Sequence, residues 1–138
     1  MRGVLDTNVL VSGLLTPHGP TGRVVDLLLA GQVVLLADDR ILGEYIEVLG
    51  RPKFAFRPED VVNLLEYLRA TAELVVAPPL RVRVPDEDDL PFLEVAAAGT
   101  ADALVTGNTR DYEPTRGRHD VRVITPAEFV RLVGAADY

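Results

Sequence analysis

Apolar residues along this chain come in two rhythms. Short unbroken runs stand between turn signals, and longer stretches carry an apolar position every third or fourth residue. The first short run is Val4-Leu5, which stops on Asp6-Thr7-Asn8 as a helical pattern begins over residues 8–15. Pro17, Gly19 and Pro20 break that pattern. Thr21 then offers an N-cap for a second helix to about residue 30, with Val24, Val25, Leu28 and Leu29 on its apolar side and Gly31 as its C-cap. Residues 33–37 are apolar throughout, as in a strand buried on both faces, so the first two strands should lie parallel across a right-handed crossover.

The alternation continues to the end of the chain. Asp38 and Asp39 cap a third helix over 40–49, and Pro58 opens a fourth to about residue 72 with Glu59 and Asp60 at its positive end. Residues 74–77 read as a short buried strand stopped by Pro78-Pro79, and 81–84 as a polar edge segment. A fifth helix over 90–98 follows Asp86-Glu87-Asp88-Asp89, a strand over 103–106 leads into Gly107-Asn108, and a last strand over 121–124 precedes a helix over 126–133. Strands alternating with helices predict a three-layer α/β/α domain, one unit over residues 1–138, around a central and mostly parallel sheet of about five strands.

Helical phase separates ordinary acids from unusual ones. In the third helix Ile41, Leu42, Tyr45, Ile46 and Leu49 form the predicted buried stripe; Glu44 lies at its edge and Glu47 points away. In the fifth helix Phe92, Leu93 and Ala96 face inward, which carries Asp89 over the apolar side at the first turn and leaves Glu94 outward. Asp89 is either a cap or a ligand, and Asp86 or Asp88 would serve equally well as the cap.

Composition narrows the chemistry. A chain that is 48% hydrophobic, with no apolar run of the ~18 residues a membrane span needs, is expected to be globular with no membrane association. No cysteine means no thiolate nucleophile and no thiolate metal site, and with no secretory signal legible a cytoplasmic protein is expected. A net charge of −7 argues against a dedicated nucleic-acid coat but not against a nuclease, whose metal site itself needs carboxylates. Asp6 at the end of the first strand, Glu44, Asp89, and Asn108 or Asp111 after a later strand are four oxygen donors from separate segments. Oxygen-only donors suit Mg2+ or Mn2+. Arg51, Lys53 and Arg57 form one basic cluster and Arg110, Arg116, Arg118 and Arg122 another; either could meet substrate phosphates.

At these residues the sequence resembles the PIN-domain ribonucleases, in particular the VapC-like toxins of toxin–antitoxin pairs. The matching segments are Val4-Leu5-Asp6-Thr7-Asn8-Val9-Leu10, Leu42-Gly43-Glu44-Tyr45, residues 85–96 and Leu104-Val105-Thr106-Gly107-Asn108. The resemblance implies a Mg2+- or Mn2+-dependent endoribonuclease with Asp6, Glu44 and Asp89 as its acidic triad. It also implies an RNA substrate, a homodimer, and a cognate antitoxin that blocks the acidic groove. Thr7, Asn8, Thr106 and Asp86 would orient the carboxylates, Arg110, Arg51 and Lys53 would meet the substrate, and the family's fourth acid falls at Asn108 or Asp111. Two other readings stay open: a non-catalytic PIN-like module that binds RNA or protein, and a phosphatase with Asp6 as nucleophile. Haloacid-dehalogenase-like phosphatases carry a second aspartate two residues on, where this chain has Asn8.

Overall fold

In the computed structural model, residues 1–115 and 119–136 are described. The chain runs β1 (Arg2–Leu5), α1 (Thr7–Leu15), α2 (Pro20–Leu29), β2 (Val34–Ala37), α3 (Asp39–Leu49), α4 (Pro58–Thr71), β3 (Glu73–Leu74), α5 (Leu90–Ala98), β4 (Ala103–Val105), β5 (Val123–Ile124) and α6 (Pro126–Ala136). Single turns of 3-10 helix at Pro52–Phe54 and Glu87–Asp89, and a longer one at Thr109–Thr115, fill the connections.

The five strands form one sheet in the order β3-β2-β1-β4-β5, with every neighbouring pair parallel. Gly3 pairs with Leu35 on one side and Ala103 on the other, so β1 is the central strand. Helices cover both faces, giving the α/β/α layering, and Val4, Leu5, Leu35, Leu36, Leu104 and Val105 are all buried between them. Strand order reverses at β1 and β4. In open parallel sheets such a switch point opens a crevice at the carboxyl ends of the strands, and ligands bind there.

Local chemistry accounts for most element ends. Asp38 accepts from the Ile41 backbone N–H at 3.1 Å and caps α3. Pro20 and Pro58 stand at the first turns of α2 and α4, where a missing N–H costs nothing. Gly31 takes a φ of +77° just past α2, a conformation glycine adopts without steric cost.

Four features differ from the sequence-based expectation. The third strand is Glu73–Leu74 rather than residues 74–77 and is not buried, since it is the sheet edge and pairs only with β2; Leu74 and Val76 are 56% and 94% exposed. Residues 81–84 form no strand. Ile46 is 49% exposed, because it faces the opening between α3 and α4, alongside Val61, Val62 and Leu65, instead of the sheet.

The fourth has an energetic consequence. Glu94 does not point outward: it is buried, accepting from Arg40 Nη1 at 2.6 Å and from the Leu80 backbone N–H at 2.7 Å. Arg40 belongs to α3 and Glu94 to α5, so the pair is a strut between two helices, reinforced by the Tyr45 and Phe92 rings at 6.4 Å. Removing one partner of such a pair leaves donors without an acceptor. Glu94→Ala is expected to lower the free energy of unfolding in urea by about 2–3 kcal/mol, and Glu94→Gln, which keeps an acceptor for Leu80, by about half that.

Candidate metal centre

Asp6 follows β1 at the switch point. Its backbone N–H still bonds the Val105 carbonyl at 2.9 Å, so the residue is anchored to β4 before α1 begins. The side chain is only 5% exposed, and its Oδ2 accepts from the Thr106 hydroxyl at 2.9 Å and the Tyr112 hydroxyl at 3.1 Å. Burial raises the Asp6 pKa, while these two donors work in the opposite direction by stabilising the charge. Behind it the Tyr45 hydroxyl donates to the Leu5 carbonyl at 2.5 Å, pinning α3 to the end of β1.

Thr7 and Asn8, the first residues of α1, reach to opposite sides. The Thr7 hydroxyl donates to Glu44 Oε2, fixing a half-buried carboxylate on α3. Asn8 Oδ1 accepts from the Gly107 N–H at 3.0 Å, tying α1 to the loop after β4. A Cβ at Gly107 would stand 3.3 Å from Asn8 Oδ1, so this close approach favours glycine.

Asp89 ends the Glu87–Asp89 turn just before α5 and makes no side-chain cap hydrogen bond. Asp86 caps the Glu87–Asp89 turn instead, accepting from the Asp88 N–H at 2.9 Å. Asp89 is therefore half-buried with its carboxylate unspent on the helix. Burial, and then the negative charges of Asp6, Asp111, Asp86 and Glu44, push its pKa up to about 7. Glu44 is raised by burial and by Asp6, Asp88 and Asp86, against the Thr7 hydrogen bond.

The loop after β4 separates two candidates that the sequence left together. Asn108 Nδ2 donates to Asp111 Oδ1 at 3.1 Å, and the Asn108 N–H bonds the Thr106 hydroxyl at 3.1 Å. Asp111, not Asn108, contributes negative charge to Asp6 and Asp89. Tyr112 had not been singled out from the sequence; its only signal was an aromatic residue directly after Asp111. It is fully buried, and burial together with Asp6 and Asp89 raises its hydroxyl far above the usual range, so it stays a donor.

The basic residues lie farther out. Arg110 is exposed beside Asp111, Arg51 pairs with Glu47 at 2.9 Å, and Lys53 stands over the Phe54 ring at 5.0 Å. Arg116 and Arg118 lie outside the described residues.

The donor set is all oxygen: Asp6 raises Glu44, Asp6 and Glu44 raise Asp89, Asp111 raises both Asp6 and Asp89, and such a set suits a hard cation that would relieve the repulsion. Among the described residues no three acids are drawn tightly enough to enclose an ion as they stand. Glu44 is turned toward Thr7 and Asp6 toward Thr106 and Tyr112, so the carboxylates would have to draw inward around a cation.

Comparison with known proteins bears on this arrangement. A family described as "PIN domain" matches residues 2–110. The uncharacterized protein MJ1680 of Methanocaldococcus jannaschii is 28% identical over 140 residues, covering 94% of this chain and 90% of its own. Two solved structures superpose with TM-scores of 0.60 at 17% identity, each covering 91% of this chain and 98% of the other: VapBC-1 from nontypeable Haemophilus influenzae, and VapBC2 from Rickettsia felis bound to a DNA fragment from their promoter. At that identity the two superpositions bear on the fold alone.

Proposed function

The chain belongs to the PIN-domain family, and from that premise we propose that it is a divalent-metal-dependent endoribonuclease, the toxin of a toxin–antitoxin pair. The observation that carries the proposal is the gathering of Asp6, Glu44 and Asp89, from the end of β1, α3 and the start of α5, where the strand order reverses; burial raises the pKa of all three, Asp6 adds to the rise at Glu44, and Asp6 and Glu44 both add to it at Asp89.

Asp6, Asp89 and Glu44 would hold Mg2+ or Mn2+, with Asp111 as the fourth acid in preference to Asn108. The cation, when bound, supplies Lewis-acid polarisation of the phosphate and a water of lowered pKa. The protein's own part is orientation. Thr106 and Tyr112 fix the Asp6 carboxylate, Thr7 fixes Glu44, and Asn8 holds the β4 loop against α1. Hydrogen bonds to ligating carboxylates of this kind commonly matter ten- to a hundredfold, as an order of magnitude. Asp86 positions Asp89 by closing the turn before it. Arg110, close in sequence to Asp111, would meet a substrate phosphate.

The same reading makes the protein a cytoplasmic homodimer with a cognate antitoxin, as the pairing named for its structural neighbours suggests. No helix among the described residues is long and apolar enough to cross a membrane.

Incubating defined RNAs with the purified chain, with Mn2+ and then with excess EDTA, and mapping the cut sites tests the proposal. Internal cuts that need Mn2+ and vanish with EDTA are expected. Binding of RNA without cutting at any metal concentration would favour the non-catalytic module instead.

A further inference from the structure

A groove of about 370 Å3 opens beside the acids, between α1 and α3. Thr7 and Asn8 line the end next to the acidic cluster, Val11, Leu15 and Val48 form apolar walls, and Phe54 lies beyond the end of α3. Thr7 and Leu15 are eight residues apart on α1, roughly 12 Å at helical rise, so the apolar end is clear of the acids but continuous with them. The volume lies toward the low end of the range for small-ligand sites, roughly 300–1,000 Å3.

Charge indicates what would fill it. Of the basic residues around the Pro52–Phe54 turn, Arg51 is paired with Glu47 at 2.9 Å and Arg57 with Glu59 at 2.6 Å. Lys53 has no ion pair among the described residues; its Nζ rests 5.0 Å from the Phe54 ring centre, and Phe56 stacks on Phe54 at 5.9 Å. Lys53 is exposed and Phe54 half-buried, and an ammonium held only by such a ring can leave for a stronger anion. At the other end of the groove, no group among the described residues accepts from Asn8 Nδ2, whose oxygen is spent on Gly107. An apolar trough with a free cation and an aromatic ring at one end, and a free amide and acids at the other, complements a partner with flat apolar faces on an anionic backbone. Single-stranded nucleic acid has that character, and aromatic–cation platforms of this sort are how proteins hold it.

We propose that this groove is the subsite for a nucleoside of the RNA strand beside the scissile phosphate, with its base packed on Phe54, Leu15 and Val48 and its phosphate met by Lys53. The inference rests on the ribonuclease reading and extends it to the path of the strand. Thr7, which bonds Glu44, lines the near end of the groove, and the Lys53 cation stands at the far end, so an anionic strand that must reach the acids fits better than an apolar peptide.

The test is kinetic. With Mn2+ and a defined RNA, a single abasic nucleotide is walked through the positions flanking the mapped cut. In the wild type one flanking position is expected to raise KM about five- to hundredfold with kcat little changed, as loss of one stacked base predicts. Phe54→Ala should raise KM similarly for intact RNA and lose nothing further at that abasic position, while Phe54→Leu keeps part of the apolar contact and Lys53→Gln lowers the slope of log KM against log salt by about one ion. A merely structural Phe54 would lower kcat on every substrate and leave the abasic penalty intact. Either that result, or wild-type cleavage by Phe54→Ala as expected of a peptide groove, overturns the subsite while leaving the ribonuclease reading standing. No Mn2+-dependent cleavage by the wild type overturns both.

Discussion

Asp89→Asn is expected to reduce Mn2+-dependent RNA cleavage by at least about a hundredfold and, in EDTA at pH 8, to raise the melting temperature above that of the wild type. The two effects share one cause. The half-buried Asp89 carboxylate, facing Asp6, Asp111, Asp86 and Glu44, has its pKa pushed from an ordinary 3.8 to about 7. A group whose pKa is higher folded than unfolded contributes stability that is full below the unfolded value and is lost as pH rises through the folded one. Metal-free wild type should therefore lose stability relative to Asp89→Asn between about pH 4 and pH 7, with the gap flat above about pH 8. Discounted for solvent screening, the full gap should be about 1–2 kcal/mol, or several degrees in Tm for a chain of this size. Mn2+ reverses the order, because a ligand that binds only the native state raises Tm with its concentration, and the asparagine chain lacks the charge that holds it. Scanning calorimetry of both chains from pH 4 to 8, with and without Mn2+, checks both halves. A constant Tm difference across that range would show that Asp89 titrates as an ordinary surface acid, and the case for a shared cation would lose its main support.

What the sequence made legible was whatever depends on local phase. The alternation of short apolar runs with helical patterns gives the parallel α/β/α sheet, because successive strands joined by helices pair in parallel across crossovers. α5 spans Leu90–Ala98, the bounds its pattern predicts. Asp6, Glu44 and Asp89 stood out because each interrupts an apolar pattern at a strand end, a stripe edge or a first turn, and the structure brings all three within electrostatic reach of one another. Contacts made between distant segments were hidden. Glu94 has an outward phase on its own helix and is buried only because Arg40 and the Leu80 backbone come over it from 54 and 14 residues away. Tyr112 lies in a 3-10 segment without usable periodicity, and its partner Asp6 is 106 residues earlier. Leu74 and Val76 have a core strand's composition, but the order of strands in the sheet, which local pattern does not encode, puts them at an edge.

Gly22→Ala is expected to lower Tm by about 5–10 °C, whereas Gly43→Ala raises it by a few degrees. Both glycines are helical, so each alanine gains about 1 kcal/mol of helix propensity. Space decides the sign. A Cβ at Gly22 would lie 2.2, 2.4 and 2.6 Å from the backbone O, C and Cα of Pro17, atoms that cannot rotate away; a Cβ at Gly43 meets nothing within 4 Å. Overpacking costs about 1–3 kcal/mol and more where nothing yields, which exceeds the propensity gain at Gly22 only. The same wedge reaches the candidate site. The 16–19 turn packs α1 on α2, and α1 carries the Thr7 bond to Glu44 and the Asn8 bond to Gly107. Pushing α2 off that turn loosens the helix that orients Glu44, so the Tm increment from a fixed Mn2+ concentration should shrink in Gly22→Ala and be preserved in Gly43→Ala. Thermal melts of the two variants with and without Mn2+ measure both effects. A Gly22→Ala chain that melts at or above the wild type would mean that the α1–α2 turn gives way freely, and the packing that holds Thr7 and Asn8 in place would then have to be sought in β1 and β4 alone.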